Sequence, residues 1–303
     1  LLAALGSPLP GQGEQTVQLG AQLERVDQDE RGVTASLVDG RQARGSMLIG
    51  ADGLHSVVRQ QLFGAAPPRY AGFTAWRAVV PAPPGLTLPA GEYWGRGQEF
   101  GVIPLSGRRV YWFATRTLPE GQQDAPPTAA GRKQALLMLF RLWYPAIPAL
   151  IEATPDEAVL RNDIYDRPPL AAWSRRRVTL LGDAAHPMTP NLGQGACQAL
   201  EDAVALAASL RAATTATTAT TATADTADMA DDVTDWIPHA LETYQAARLA
   251  HANRVVARSR QLGRLIQRPD YLTGWTRNLV IRLLPESVRL KPLEPFISSE
   301  VAE

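Results

Sequence analysis

Two stretches of this sequence put residues capable of chemistry at the ends of short apolar strands. The first is Leu48-Ile49-Gly50-Ala51-Asp52-Gly53-Leu54-His55-Ser56-Val57-Val58-Arg59, where a strand delivers Asp52-Gly53 and a helix then opens with Ser56 and Arg59 in its early turns. In open α/β sheets ligands sit at the carboxyl ends of strands, and a helix start offers unpaired N–H groups to phosphate or ribose oxygens. The pattern points to a polar, phosphate-bearing ligand. Taken alone, the same Asp-Gly also reads as a plain helix cap, with Arg59 a surface charge.

The second is Val178-Thr179-Leu180-Leu181-Gly182-Asp183-Ala184-Ala185-His186-Pro187-Met188-Thr189-Pro190-Asn191-Leu192-Gly193-Gln194-Gly195-Ala196. Again a strand ends at a carboxylate, Asp183, in position to accept hydrogen bonds from sugar-like hydroxyls. Gly193 and Gly195 let the backbone come close to a flat ligand, and the helix that follows points its positive end at it. Such a site favours an aromatic ring that becomes anionic.

The elements that must hold these motifs are legible around them. Residues 16–26, 32–38 and 43–49 alternate in polarity, and the Asp39-Gly40 between the last two is a strong hairpin signal. From about residue 66 to 119 the composition turns to Pro, Gly and aromatics, with strand-like runs at 74–80, 100–104 and 109–115, which predicts a separate antiparallel sheet. Residues 131–150 read as helical. After the second motif, Ala199, Ala203, Leu206 and Leu210 have the spacing of one buried helix face. Residues 212–232 are an Ala/Thr tract without apolar periodicity, expected to be a disordered insertion. A long helix from Pro238 to about Leu265 follows, with Leu241, Tyr244, Val255, Leu262 and Leu265 as buried candidates, and a third helix carries Leu272, Trp275, Leu279 and Leu283 up to Pro285.

The 303 residues are 45% hydrophobic and carry 30 Lys+Arg against 30 Asp+Glu, so there is ample material for a core and no basic field to hold a nucleic acid. The longest apolar stretch, 135–151, is broken by Arg141, Pro145 and Pro148 and reads as no membrane span. One cysteine, Cys197, excludes an intramolecular disulfide framework, fits a reducing cytoplasmic setting, and reads as a small packed residue. His55, His186, His239 and His251 have no metal-ligand spacing, and no G-x-S-x-G elbow marks a hydrolase.

Together the two motifs resemble those of the class A flavoprotein monooxygenases, the para-hydroxybenzoate-hydroxylase-like family. Asp52-Gly53 with Ser56 and Arg59 is similar to that family's DG motif, and Gly182-Asp183 with His186-Pro187 and Gly193-Gln194-Gly195 to its GD motif. The segments Thr74-Ala75-Trp76-Arg77 and Gly107-Arg108-Arg109-Val110-Tyr111-Trp112-Phe113-Ala114 look like the branch containing urate and 3-hydroxybenzoate hydroxylases and zeaxanthin-epoxidase-like enzymes. The resemblance implies an α/β, Rossmann-like FAD-binding domain of the glutathione-reductase type, interrupted by a β-rich substrate domain and followed by helices. The implied divisions are 1–62, 63–172, 173–211, the insertion 212–232, and 233–303. It implies FAD as cofactor, NAD(P)H as co-substrate, molecular oxygen, and an aromatic or conjugated small molecule hydroxylated or epoxidised through a flavin C4a-hydroperoxide. Asp183 would bind the ribityl chain. Gly193, Gln194, Gly195 and Ala196 would lie against the pyrimidine edge of the ring, where a helix N-terminus stabilises negative charge by roughly 0.3–2 kcal/mol. Gly53, Gly182 and Pro187 would shape the same site, and Asp52 and Arg59 would lie near the pyrophosphate and the path of NAD(P)H. Arg77, Tyr93, Tyr111 and Trp112 are candidates to line a substrate pocket; no general base is evident.

The family also begins with a strand, a G-x-G-x-x-G turn and a helix for the ADP half of FAD. Gly11-Gln12-Gly13 instead follows Pro10 and has no third glycine, so it reads as a loop. With Leu1 in first position and no signal-peptide pattern, the sequence is expected to be an N-terminally truncated form. Two other readings stay open: an inactive truncated product that keeps the fold, and an FAD-dependent reductase that forms no hydroperoxide.

Overall fold

The structure, a computed structural model, describes residues 17–85, 89–223 and 236–283. The Gly11-Gln12-Gly13 segment and Pro285 lie outside the described residues. β1 (Leu23–Gln28), β2 (Val33–Leu37) and β3 (Gln42–Gly45) form an antiparallel sheet in that order. Asp39-Gly40 closes the β2–β3 hairpin, with Gly40 at φ +85°, a conformation that glycine adopts without a Cβ penalty.

The chain then enters β4 (Leu48–Gly50), followed by helix α1 (Val57–Phe63). Gly50 is bare because α1 presses on it: a Cβ there would stand 2.7 Å from that of Val58 and 3.0 Å from Leu180 Cδ2.

β5 (Arg69–Pro81), β6 (Gly91–Trp94), β7 (Gln98–Leu105), β8 (Arg109–Thr117) and β9 (Leu160–Asp166) make an antiparallel sheet of order β6-β7-β8-β5-β9. One face buries Trp76, Val80, Phe100, Val102 and Trp112 against Leu136 and Phe140 of α2 (Ala129–Phe140) and Ile147 and Ile151 of α3 (Ala146–Glu152). The Phe100 and Trp112 rings stack at 5.5 Å. By the period-two rule Arg77, Val79 and Tyr111 fall on the other face. The helix expected over 131–150 is thus two helices, broken before Pro145. β9 was not anticipated; it is unreadable as a strand because it carries Arg161, Asp163 and Asp166, charges spent on partners. Asp166 takes Arg69 at 2.8 Å and Arg260 at 2.6 Å.

β10 (Ser174–Arg175) pairs antiparallel with the fully buried β11 (Val178–Leu180), and β11 lies parallel to β4. Three helices follow: α4 (Gly195–Thr223), α5 (Trp236–Ile266) packed along it, and α6 (Tyr271–Leu283). The disordered tract expected over 212–232 is corrected up to Thr223, which α4 includes; 224–232 lie outside the described residues. Alanine has the strongest helix propensity, and here threonine hydroxyls bond back to carbonyls one turn earlier, Thr214 to Leu210 at 2.8 Å and Thr215 to Arg211 at 3.0 Å. Two buried-face assignments also fail. Ala203 is exposed while Gln198, Asp202 and Leu206 are buried, and Leu265 is exposed while Ile266 is buried. Cys197 is exposed, not packed. Among the described residues no helix is long and apolar enough to cross a membrane, and no cluster of His, Cys, Asp or Glu could hold a metal ion.

Glu99 on β7 is a buried carboxyl, held by Trp94 Nε1 at 3.1 Å and Thr115 Oγ1 at 3.4 Å. Burial, reinforced by repulsion from Glu92, pushes it up to about 8 from its ordinary 4.5. The folded state therefore holds this proton more tightly than the unfolded chain, and its contribution to stability declines as pH rises from about 4.5 to about 8. Glu99→Gln is expected to flatten the decline in melting temperature between pH 5 and pH 9 and to melt above wild type at pH 9, by about 2–4 °C per kcal/mol recovered. Equal pH slopes for the two proteins in a thermal scan would reject a buried proton at Glu99.

Candidate functional site

The parallel pairing of β4 with β11 runs Leu48 opposite Val178, Ile49 opposite Thr179 and Gly50 opposite Leu180. Both sequence motifs therefore leave the sheet at the same edge. A cleft of about 530 Å³ opens there, lined by Gly53 from the first motif and by Gly182, Asp183, Gly193, Gly195 and Ala196 from the second. Ala51, Leu181, Met188, Thr189, Pro190 and Ala199 complete its wall. Sequence reasoning had missed these six; Met188 to Pro190 lay inside the quoted motif, and only the 3-10 turn Pro190–Leu192 shows that they bend into the cleft.

The glycines leave room. Gly53 (φ +74°) and Gly193 (φ +65°) have no atom within 4 Å of where a Cβ would sit, and at Gly195 the nearest is Met188 Cγ at 3.9 Å. Gly182 (φ +60°) differs: its Cβ would meet that of Ala199 at 3.1 Å, so this glycine serves a tight approach between loop and helix. The first turn of α4, whose N–H groups lack intrahelical acceptors by geometry, faces the cleft through Gly195 and Ala196. Asp183 projects into the cleft; burial raises its carboxyl above the ordinary value, partly opposed by His186. An aromatic ring beside a polyhydroxyl chain fits this combination of bare backbone, open N–H groups and one carboxylate.

Asp52 and Arg59 point elsewhere. Asp52 caps α1, accepting from Ser56 Oγ at 2.5 Å, Val57 N at 2.7 Å and Val58 N at 3.2 Å. Arg59 is buried and donates to the carbonyls of Ala184 at 3.1 Å, Ala185 at 2.8 Å and Pro168 at 3.0 Å. Burial, with Arg167 nearby, lowers its guanidinium to about 10, still a cation at neutral pH. Asp52 and Arg59, expected near the pyrophosphate and the path of NAD(P)H, thus spend these bonds on the cap of α1 and on bracing the loop that bears Asp183. Pro187 is buried beneath the cleft, and Gln194 accepts from Gln198 N at 2.9 Å through its carbonyl; neither lines the cleft.

The four substrate candidates do not come together. Trp112 is fully buried in the sheet core and donates to Thr154 Oγ1 at 3.0 Å, which removes it from any pocket. Tyr93 lines a second cleft of about 680 Å³ with Trp94, Arg96 and Trp143. Arg77 and Tyr111 share the sheet face opposite Trp112; burial raises the Tyr111 phenol, with Arg77 acting against it.

Sequence reasoning also missed Asp202, fully buried on α4. It accepts from Gly182 N at 3.1 Å, His186 Nε2 at 2.5 Å and Arg248 Nε at 2.9 Å. Burial alone would raise this carboxyl, but these bonds hold it below the usual range. The signal was present: Gln198 and Asp202 are polar residues one turn apart on a helix otherwise rich in alanine.

The FAD binding domain family matches this chain over residues 9–259. The chain is 41% identical to an aurachin C monooxygenase/isomerase of Stigmatella aurantiaca over 273 residues, 90% of this chain and 65% of that protein. It is 39% identical over 200 residues to the chloroplastic zeaxanthin epoxidase of Nicotiana plumbaginifolia, 65% of this chain and 30% of that one. The crystal structure of Klebsiella pneumoniae HpxO complexed with FAD and uric acid superposes with a TM-score of 0.77 at 30% identity, covering 90% of this chain and 65% of HpxO. The chain thus spans under two thirds of these relatives' length.

Arg59→Met is expected to lower unfolding free energy in urea by at least about 2 kcal/mol, since each buried carbonyl left unpaired costs roughly 1–3 kcal/mol. Asp52→Ala, the loss of a cap, is expected to cost about 1 kcal/mol. A smaller loss for Arg59→Met than for Asp52→Ala would overturn the bracing.

Proposed function

The chain belongs to the FAD binding domain family, and from that premise we propose that its cleft takes the ribityl and ring end of FAD in an NAD(P)H-dependent monooxygenase. One observation carries the reading. Two motifs about 130 residues apart open, from adjacent parallel strands, into one cleft where Gly53 and Gly193 face empty space in place of side chains.

In this reading Asp183 accepts hydrogen bonds from ribityl hydroxyls, and the backbone from Gly193 to Ala196 lies against the ring. The N–H groups of the first α4 turn offset negative charge that builds on the ring, and Gly53 closes the opposite wall. Asp52 and Arg59 contribute by holding the loops. The chemistry supplied by bound FAD is activation of molecular oxygen with electrons taken from NAD(P)H. The substrate is an aromatic or conjugated small molecule, the class to which urate, zeaxanthin and aurachin C belong. Arg77 and Tyr111 offer it a cation and a phenol on the open sheet face.

Titration with FAD is expected to show Asp183→Ala binding about 10- to 100-fold more weakly than wild type, the worth of a hydrogen bond to a charged carboxylate. Equal affinities would reject the assignment. NADH and NADPH consumption with phenols, purines and polyenes under ¹⁸O₂ is then expected to label the product. Consumption without label would make the protein a reductase of the same fold.

A further inference from the structure

The loop Gly182 to His186 is anchored from beneath by groups that never reach the cleft. Asp202 Oδ2 takes both the Gly182 N–H and His186 Nε2, and Asp202 Oδ1 takes Arg248 Nε. Arg248 is itself fixed by Glu201 at 2.7 Å and Gln198 at 2.8 Å, so Glu201 shares its cation with Asp202. The loop closes on itself through Ala185 N and His186 N, both donating to Gly182 O at 2.9 Å. Asp183 is the residue this arrangement turns outward.

We propose that Asp202 is a positioning residue: with Arg248 as its counter-charge, it holds His186 through a proton on Nε2 and fixes the direction in which Asp183 enters the cleft. The proposal rests on the flavin reading of that cleft.

A carboxylate only accepts, so the 2.5 Å contact with Asp202 assigns a proton to His186 Nε2; an imidazole protonated on Nδ1 alone would leave Nε2 bare against a carboxylate. The Trp173 ring lies against the same imidazole, 5.2 Å away centroid to centroid. Arg248, bonded to both Asp202 and Glu201, is the cation that balances this network.

The test has two arms. In the ¹⁵N spectrum of histidine-labelled wild type, His186 is expected to show a protonated Nε2; a bare Nε2 overturns the proposal. FAD titration of a double-mutant cycle is the second arm. Asp202→Asn is expected to weaken FAD about tenfold in the wild-type background, roughly one charge-assisted hydrogen bond, and less than about twofold in the Asp183→Ala background, because its effect acts through Asp183. Equal weakening in both backgrounds, or none in either, overturns the positioning role. Should Asp202→Asn fail to fold, Arg248→Gln enters the same cycle with the same expected non-additivity. Wild type that binds no FAD would reject the flavin reading itself, and the histidine spectrum would still decide the pairing.

Discussion

Everything at the cleft depends on the parallel pairing of two three-residue strands. β4 and β11 are separated by more than a hundred residues of chain, and an antiparallel pairing would send their motifs to opposite edges of the sheet. In the observed register Leu181 N continues the ladder to Gly50 O at 3.0 Å, so the first residues of both loops leave side by side. A slip of one residue would turn Leu180 and Val178, now at 0% exposure, toward the other face. The pairing is short, and it survives because its surroundings fix it. Arg177, just before β11, gives its N–H to Gln28 Oε1 at 3.1 Å and a guanidinium nitrogen to Glu30 O at 2.5 Å, tying the strand to the β1–β2 hairpin. Tyr244 of α5 donates to Leu180 O at 3.1 Å from behind.

How much of this was legible varies with the kind of signal. Glycine and short carboxylate motifs were readable because their chemistry is local: Asp39-Gly40 had to be a turn, and Gly193 had to be left-handed or open. Burial on a particular face was not. Alternation along β8 separates Trp112 from Tyr111 but does not say which of the two meets α2 and α3, and that choice depends on helices 20 to 40 residues further on. Asp202 and Asp166 escaped for a related reason. Each is a fully buried acid, and sequence carries no mark of the arginines, Arg248 and Arg260, that arrive from α5 to neutralise them. The Ala/Thr tract up to Thr223 is helical although it has no apolar face, because a helix already nucleated and packed at Gly195–Leu210 extends through alanines at little further cost.

The arginines explain why a chain of zero net charge still has a polarised interior. Arg59, Arg167 and Arg177 all terminate on backbone carbonyls: Arg59 on Ala184, Ala185 and Pro168, Arg167 on Leu54 and Ala66, Arg177 on Glu30 and Ser46. Each donor fork satisfies acceptors in loops where no strand or helix could, and each joins a stretch near the first motif to one near the second or to the hairpin. Leu54 and Ala66 flank α1, and Arg167 reaches both from just beyond β9.

That use of cations has a consequence for the cleft. With Arg59 and Arg248 turned inward, neither faces a ligand, and the wall is left with glycines, apolar side chains, Thr189, helix N–H groups and the carboxylate of Asp183. Attraction for a negatively charged ring then comes from oriented backbone, which requires no reorganisation when charge appears and holds no mobile side chain to neutralise it beforehand. A lysine or arginine in the wall would bind either redox state of a neighbouring ring through a flexible arm. Fixed N–H groups act only where the loop and helix hold them. The rigidity supplied by Asp202, Arg59 and the Asp52 cap is therefore the physical condition for the electrostatics of the cleft.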